Sequence, residues 1–144
     1  MEKVKTKDYP YCYGCGDANP IGLRLNHRLE RRRLVTEFLP LEEHQGWPGM
    51  VHGGILATLL YEVMENLPFL EGTTTMMKSM DISFRRPATT GDSVVAESWF
   101  VEESGRKLNV SATLTSDKGE LIAEGSAVLV ALSERRKQEM GIER

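Results

Sequence analysis

The sequence predicts an α+β fold in which an antiparallel sheet wraps around one long central helix. Three observations lead there. From Ile55 the apolar residues recur as Ile55/Leu56, Leu59/Leu60, Val63/Met64 and Leu67, the 3.6-residue period of a helix burying a broad stripe. From Thr75 to Leu132 the period changes to two, as in half-buried strands. Turn signals at Gly91-Asp92, Ser104-Gly105 and Asp117 to Gly119 divide that stretch, so its strands are expected to follow one another as a meander.

A chain of 144 residues with 40% hydrophobic content fits one core. We expect a single domain over 1–144, with 1–21 a loop segment and 133–144 a polar tail. A net charge of −3 without a basic stripe argues against nucleic-acid binding, and no apolar run reaches the ~20 residues that span a bilayer. The first eight residues, Met-Glu-Lys-Val-Lys-Thr-Lys-Asp, contain no apolar signal core, so a cytoplasmic protein is expected.

Taken in order, the chain first offers Cys12 and Cys15, a lone C-x-x-C pair. The readings are a structural pair, a metal site shared between subunits, or a redox motif. Gly14, Gly16 and Pro20 place the pair in a loop, and with no second cysteine pair and three histidines in all (His27, His44, His52), structural thiols are expected. Leu23, Leu25, His27 and Leu29 then alternate with Arg24, Asn26 and Arg28, a turn follows at Glu30 to Arg33, and Leu34, Thr36 and Phe38 continue on a second strand. His27 falls on the apolar parity, where a satisfied histidine is commoner than a catalyst.

Leu39 to Val51 is an irregular connection carrying Gln45, Trp47, Pro48 and Gly49, long enough for a functional loop. The helix is expected from about Gly54 to about Leu67, bounded by Pro48-Gly49 and by Pro68, which lacks a donor and disfavours helical geometry at the residue before it. Gly53 and Gly54 leave the unpaired amides of the helix start open to an oxyanion or carbonyl, or merely let the helix begin against the sheet. Strands are then predicted over Thr75 to Phe84, Ser93 to Glu102, Leu108 to Thr115 and Leu121 to Leu132, followed by a polar tail from Ser133, either a capped helix or a frayed end.

The run from His44 through Gly46-Trp47-Pro48 and His52-Gly53-Gly54 to Leu60 resembles the hot-dog-fold acyl-CoA thioesterases of the phenylacetate-pathway type. Cys12 to Leu23 and Ile82 to Asp92 agree, so the resemblance spans about Tyr11 to Leu132. It implies a hot-dog fold, a homodimer or dimer of dimers (homotetramer) with sites at the subunit interface, an acyl-CoA substrate, and no resident cofactor or metal.

Thioester hydrolysis needs a group to polarise the carbonyl, a carboxylate to attack it or activate water, and polar groups to hold that water. By the resemblance, the Gly53 amide takes the first role with Gly54 beside it, His52 is either a general base or, as is commoner in these thioesterases, the residue that fixes the turn, and Gln45 is retained to bind water or the thioester oxygen. Nine residues on from His52, where these thioesterases carry the catalytic Asp or Glu, stands Tyr61. Forming its phenolate at pH 7 would cost about 4 kcal/mol, so Tyr61 is expected to donate a hydrogen bond. The neighbouring carboxylates are Glu62, the favoured choice although one step along the helix turns it ~100° away, and Glu65, one turn beyond Tyr61. Where relatives place a Ser or Thr after the helix this chain has Met77, with Thr75 two residues back as a stand-in. Arg85 and Arg86 suit the phosphates of the coenzyme. An acyl-CoA thioesterase with rearranged carboxylates is the expected function; the alternative is an acyl-CoA-binding protein with little hydrolysis.

Overall fold

The computed structural model describes residues 2–4, as backbone, and residues 9–142. Seven strands make one sheet in the order β1-β2-β3-β5-β6-β7-β4. They are β1 (Glu2–Val4), β2 (His27–Glu30), β3 (Arg33–Phe38), β4 (Thr75–Phe84), β5 (Val94–Ser104), β6 (Lys107–Ser116) and β7 (Leu121–Ala131). Every neighbouring pair is antiparallel. The expected meander is β5-β6-β7, and β4 closes the sheet as an edge strand beside β7. Helix α1 (Gly53–Leu70) packs against β2 to β7, and a short α2 (Glu134–Met140) ends the described chain.

The core is the interface of α1 with the sheet. Leu59, Leu60, Val63, Met64 and Leu67 are all at most 1% exposed, so the periodic stripe is the buried face. Small residues receive it: Ala96 on β5, Ala112 on β6, Ala123 and Ala127 on β7 are all buried. Gly125 lies among them, and a Cβ there would come within 3.3 Å of both the Met64 Sδ-methyl and the Asp81 carbonyl. These small residues leave room on the inner face of the sheet for the large side chains of the helix. The Ser98 hydroxyl on β5 also donates to the Val63 carbonyl at 2.6 Å, which satisfies a buried polar side chain.

Three departures from expectation have local causes. The helix runs to Leu70, through Pro68. In the last turn a proline forfeits one hydrogen bond, while Pro68 gains burial beside Leu67, and the amides of Glu71 and Thr73 cap the carbonyls of Leu67 and Pro68. Leu23 and Leu25 are buried and Arg24 is not, as predicted, but the stretch before His27 is not strand. Its amides at Leu23 and Leu25 bond the Tyr13 and Gly14 carbonyls of the cysteine loop, and Arg24 takes a left-handed φ of 53°. Within the expected loop segment 1–21, Glu2–Val4 pairs with β2, and residues 5–8 lie outside those described. The tail is the capped helix: Ser133 Oγ accepts from the Arg136 amide at 3.2 Å.

Candidate active site

The helix start is built by a short, heavily bonded loop. The Gln45 side-chain carbonyl accepts from the Gly49 amide at 3.0 Å, and the Val51 amide donates to the Ala88 carbonyl at 2.8 Å. His52 is the N-cap, its Nδ1 accepting from the Gly54 amide at 2.8 Å. That bond commits the lone pair of Nδ1 and leaves the proton of a neutral ring on Nε2. Among the described residues no acceptor bonds the Gly53 amide, and Gly53 and Gly54 are both exposed. A donor is therefore presented at the positive end of an 18-residue helix. It opens on a cleft of about 420 Å³ lined by Gly46, Trp47, Val51, His52 and Gly53.

A second polar cluster sits toward the other end of α1. Tyr61 is 39% exposed, and burial, followed by the charges of Glu65 and Glu62, raises its phenol above the usual value. It stays protonated at neutral pH. Glu62 has turned inward: it is 6% exposed, accepts from Asn66 Nδ2 at 2.8 Å, and occupies space that only a glycine at position 14 leaves open. The sequence treats Glu62 as reachable with a changed rotamer, whereas the fold faces it to the cysteine loop and to His27.

Glu65 has the opposite environment. Its carboxyl is pushed up to about 7, first by burial and then by the charge of Glu62, with the Met77 backbone amide acting in the opposite sense. Its Oε2 is buried with no hydrogen-bond partner among the described residues, and the same holds for Thr75 Oγ1. Both residues line a cleft of about 300 Å³ with Tyr9, Cys12, Cys15 and Asn66. The structure thus brings Thr75, Glu65 and the Met77 backbone together, and keeps them apart from Gly53, His52 and Gln45. Arg85 and Arg86 stand just beyond β4, exposed, with Arg85 Nη2 at 3.1 Å from Glu124 and Arg86 Nε at 3.8 Å from Glu120.

The cysteine loop, expected from the sequence to be structural, packs against Glu62 of α1. Cys15 Sγ donates to Cys12 Sγ at 3.4 Å without a disulfide. That bond lowers the Cys12 thiol to about 6, against burial and the charge of Glu62, which raise it. His27 is 1% exposed, its Nδ1 2.6 Å from Thr36 Oγ1 and its Nε2 3.8 Å from Glu62 Oε2. Asn66, absent from the sequence reading, does carry a local signal, lying four residues from Glu62 on the helix.

Similarity to known proteins agrees with this architecture. A family model described as "Thioesterase superfamily" matches residues 48–123, just over half the chain. The acyl-coenzyme A thioesterase THEM4 of Mus musculus is 33% identical over 102 residues, 70% of this chain and 44% of that protein. The chain thus spans less than half the length of these curated relatives. Among solved structures, the E. coli PaaI protein from the phenylacetic acid degradation operon superposes with a TM-score of 0.73 at 14% identity, covering 77% of this chain and 81% of that one. A Streptococcus mutans UA159 protein bound to acetyl CoA gives 0.71 at 14% identity, covering 76% and 89%. With its helix-wrapping antiparallel sheet and its match across the His-Gly-Gly helix start, the chain carries the hot-dog fold and belongs to the thioesterase superfamily.

Proposed function

We propose that this chain hydrolyses acyl-CoA thioesters at a site completed by a second copy of itself. The observation that carries the reading is Glu65: a half-buried carboxylate with an unbonded oxygen, facing a cleft, its proton affinity raised to about 7. A general base works best when its pKa lies near the working pH. The acyl-CoA substrate is supported by the thioesterase relatives and by the acetyl CoA bound to the Streptococcus mutans neighbour.

The need for a second copy follows from helix geometry. Gly53 and Glu65 are twelve positions apart on α1, roughly 18 Å at 1.5 Å per residue. One thioester cannot touch both ends of one helix, whereas an antiparallel mate supplies the helix start of one copy to the carboxylate of the other. Two further features support such a mate. Strand β4 is a ten-residue sheet edge, and a long open edge is a template for pairing. Trp47, Met50 and Phe84 are 80%, 43% and 55% exposed, and Phe84 lies beside Gly53.

In the reaction, Glu65 takes a proton from water as the water oxygen bonds to the carbonyl carbon. The developing oxyanion is held by the Gly53 amide, and collapse breaks the carbon–sulfur bond as Glu65 returns the proton to the departing thiolate. Glu65 replaces Glu62 as our choice because Glu62 is already engaged by Asn66. Tyr61, protonated, donates a hydrogen bond, Thr75 holds the water, and Arg85 and Arg86 contact coenzyme phosphates on exchanging their glutamates.

The test is thiol release from acyl-CoAs of graded chain length, with Glu65→Gln, Glu62→Gln and Tyr61→Phe beside the wild type and the mass measured by sedimentation. We expect turnover from a dimer or dimer of dimers and at least a ~100-fold loss in Glu65→Gln. Acyl-CoA binding without release by the wild type would replace hydrolysis by a binding function, and undiminished turnover in Glu65→Gln would remove the base.

A further inference from the structure

We propose that Cys12, Cys15 and Glu62 form a binding site for a zinc-class divalent cation, with the imidazole of His27 closing the coordination. The two sulfurs and a carboxylate oxygen of Glu62 lie within 4.8 Å of one another. Nothing in the sequence places Glu62 near the cysteines, fifty residues upstream. The fold does so by threading the C-x-x-C loop over α1, with Leu23 and Leu25 bonding back to the Tyr13 and Gly14 carbonyls.

His27 is the independent sign that something positive belongs here. It is 1% exposed, and its Nδ1 is engaged by Thr36 Oγ1 at 2.6 Å. Its Nε2 has no hydrogen-bond partner among the described residues and faces Glu62 Oε2 at 3.8 Å. At that distance a proton on Nε2 makes no hydrogen bond to the carboxylate, and a lone pair there meets negative charge. A cation between them resolves both cases. In a tetrahedral zinc site, nitrogen and oxygen ligands stand ~3.4 Å apart and two thiolates ~3.8 Å apart. The corresponding separations here are 3.8 Å and 3.4 Å; His27 lies outside the group of three whose ligand atoms are all within 4.8 Å of one another, so its imidazole must move inward to complete the set.

The rest of the surroundings suit ligands. Metal-bound histidines characteristically engage their other ring nitrogen, and metal-bound carboxylates are hydrogen-bonded in turn; Thr36 and Asn66 Nδ2 fill those places. Thiolate, imidazole and carboxylate together favour zinc over the hard cations magnesium and calcium. Gly14 leaves room for this placement of Glu62, because a Cβ at that position would fall on its carboxyl and push it aside. A cation here would staple the N-terminal loop to α1 at the wall of the cleft that Glu65 lines.

The experiment is titration of the full-length, reduced, metal-free protein with Co²⁺ followed by displacement with Zn²⁺, read by absorbance, with melting monitored in Zn²⁺ and in chelator. We expect one Co²⁺ per chain, thiolate-to-cobalt charge-transfer bands with the strong d–d bands of a tetrahedral site, displacement by Zn²⁺, and a higher Tm with Zn²⁺ than with chelator. Cys12→Ser should weaken the charge-transfer bands, and Glu62→Gln and His27→Gln should each lower Co²⁺ affinity at least tenfold. Absence of thiolate bands in the reduced wild type overturns the site, whether or not the protein hydrolyses thioesters. Thiolate bands with unchanged affinity in both Glu62→Gln and His27→Gln overturn the ligand set.

Discussion

Replacing Glu65 by Gln removes a charge that the fold holds at a disadvantage, so its effect should appear first in stability. The carboxyl moves from 4.5 to about 7 on folding, mainly through burial. With about 1.4 kcal/mol per factor of ten in proton affinity, that difference sets a ceiling near ~3 kcal/mol. Glu65 keeps some contact with solvent, which screens part of the effect, so we expect about 1–2 kcal/mol. Because the folded state holds this proton more firmly than the unfolded chain, its contribution is fully present below about pH 4.5 and is lost as pH rises through about 7. The assay is urea unfolding at pH 5 and pH 8 at one fixed protein concentration, since an oligomer's stability depends on concentration. Wild type should lose about 1–2 kcal/mol more than Glu65→Gln between these pH values, and the variant should be the more stable at pH 8. Equal losses in the two proteins would show that Glu65 is not held in a desolvated state, and would undermine its choice as base.

The same proton should be visible in turnover: kcat/KM for an acyl-CoA should rise with pH through about 7 and level off above it, and a rate independent of pH between 6 and 8 would contradict that. Tyr61→Phe should change turnover by no more than roughly threefold, since a phenol raised above its usual pKa gives at most one hydrogen bond; a loss comparable to that of Glu65→Gln would make it part of the chemistry. His52→Ala should lower stability by about 1 kcal/mol, read by urea unfolding, because it removes the cap on the Gly54 amide. Gly16→Ala should cost about 1–3 kcal/mol in the same measurement, because its Cβ would meet the Pro10 carbonyl and the Cys12 backbone. Leu60→Ala, at a side chain with 0% exposure against the sheet, should cost about 2–5 kcal/mol.

The features that sequence alone determined are those set by neighbours along the chain. The stripe from Leu56 to Leu67 fixes which side of α1 is buried, because helical periodicity needs only i+3 and i+4 spacing. The β5-β6-β7 meander follows from alternation broken by short turns at Gly105 and Asp117 to Gly119. The helix start at His52-Gly53-Gly54 is legible for the same reason, since capping acts over two residues. Tertiary structure decided the surroundings of the two carboxylates. Glu62 and Glu65 are separated by less than one helical turn, yet one is enclosed by a loop from Cys12 to Cys15 and the other opens into a cleft beside Thr75. Which carboxylate is held by a side-chain amide and which keeps an unpartnered oxygen depends on what packs against each face of α1, and no local pattern encodes that. The same holds for Leu23 to Asn26, whose alternation is correct but whose hydrogen-bond partner is the cysteine loop rather than a strand. Burial parity is local, whereas the partner of a backbone amide or a buried carboxylate is chosen by segments far away in sequence.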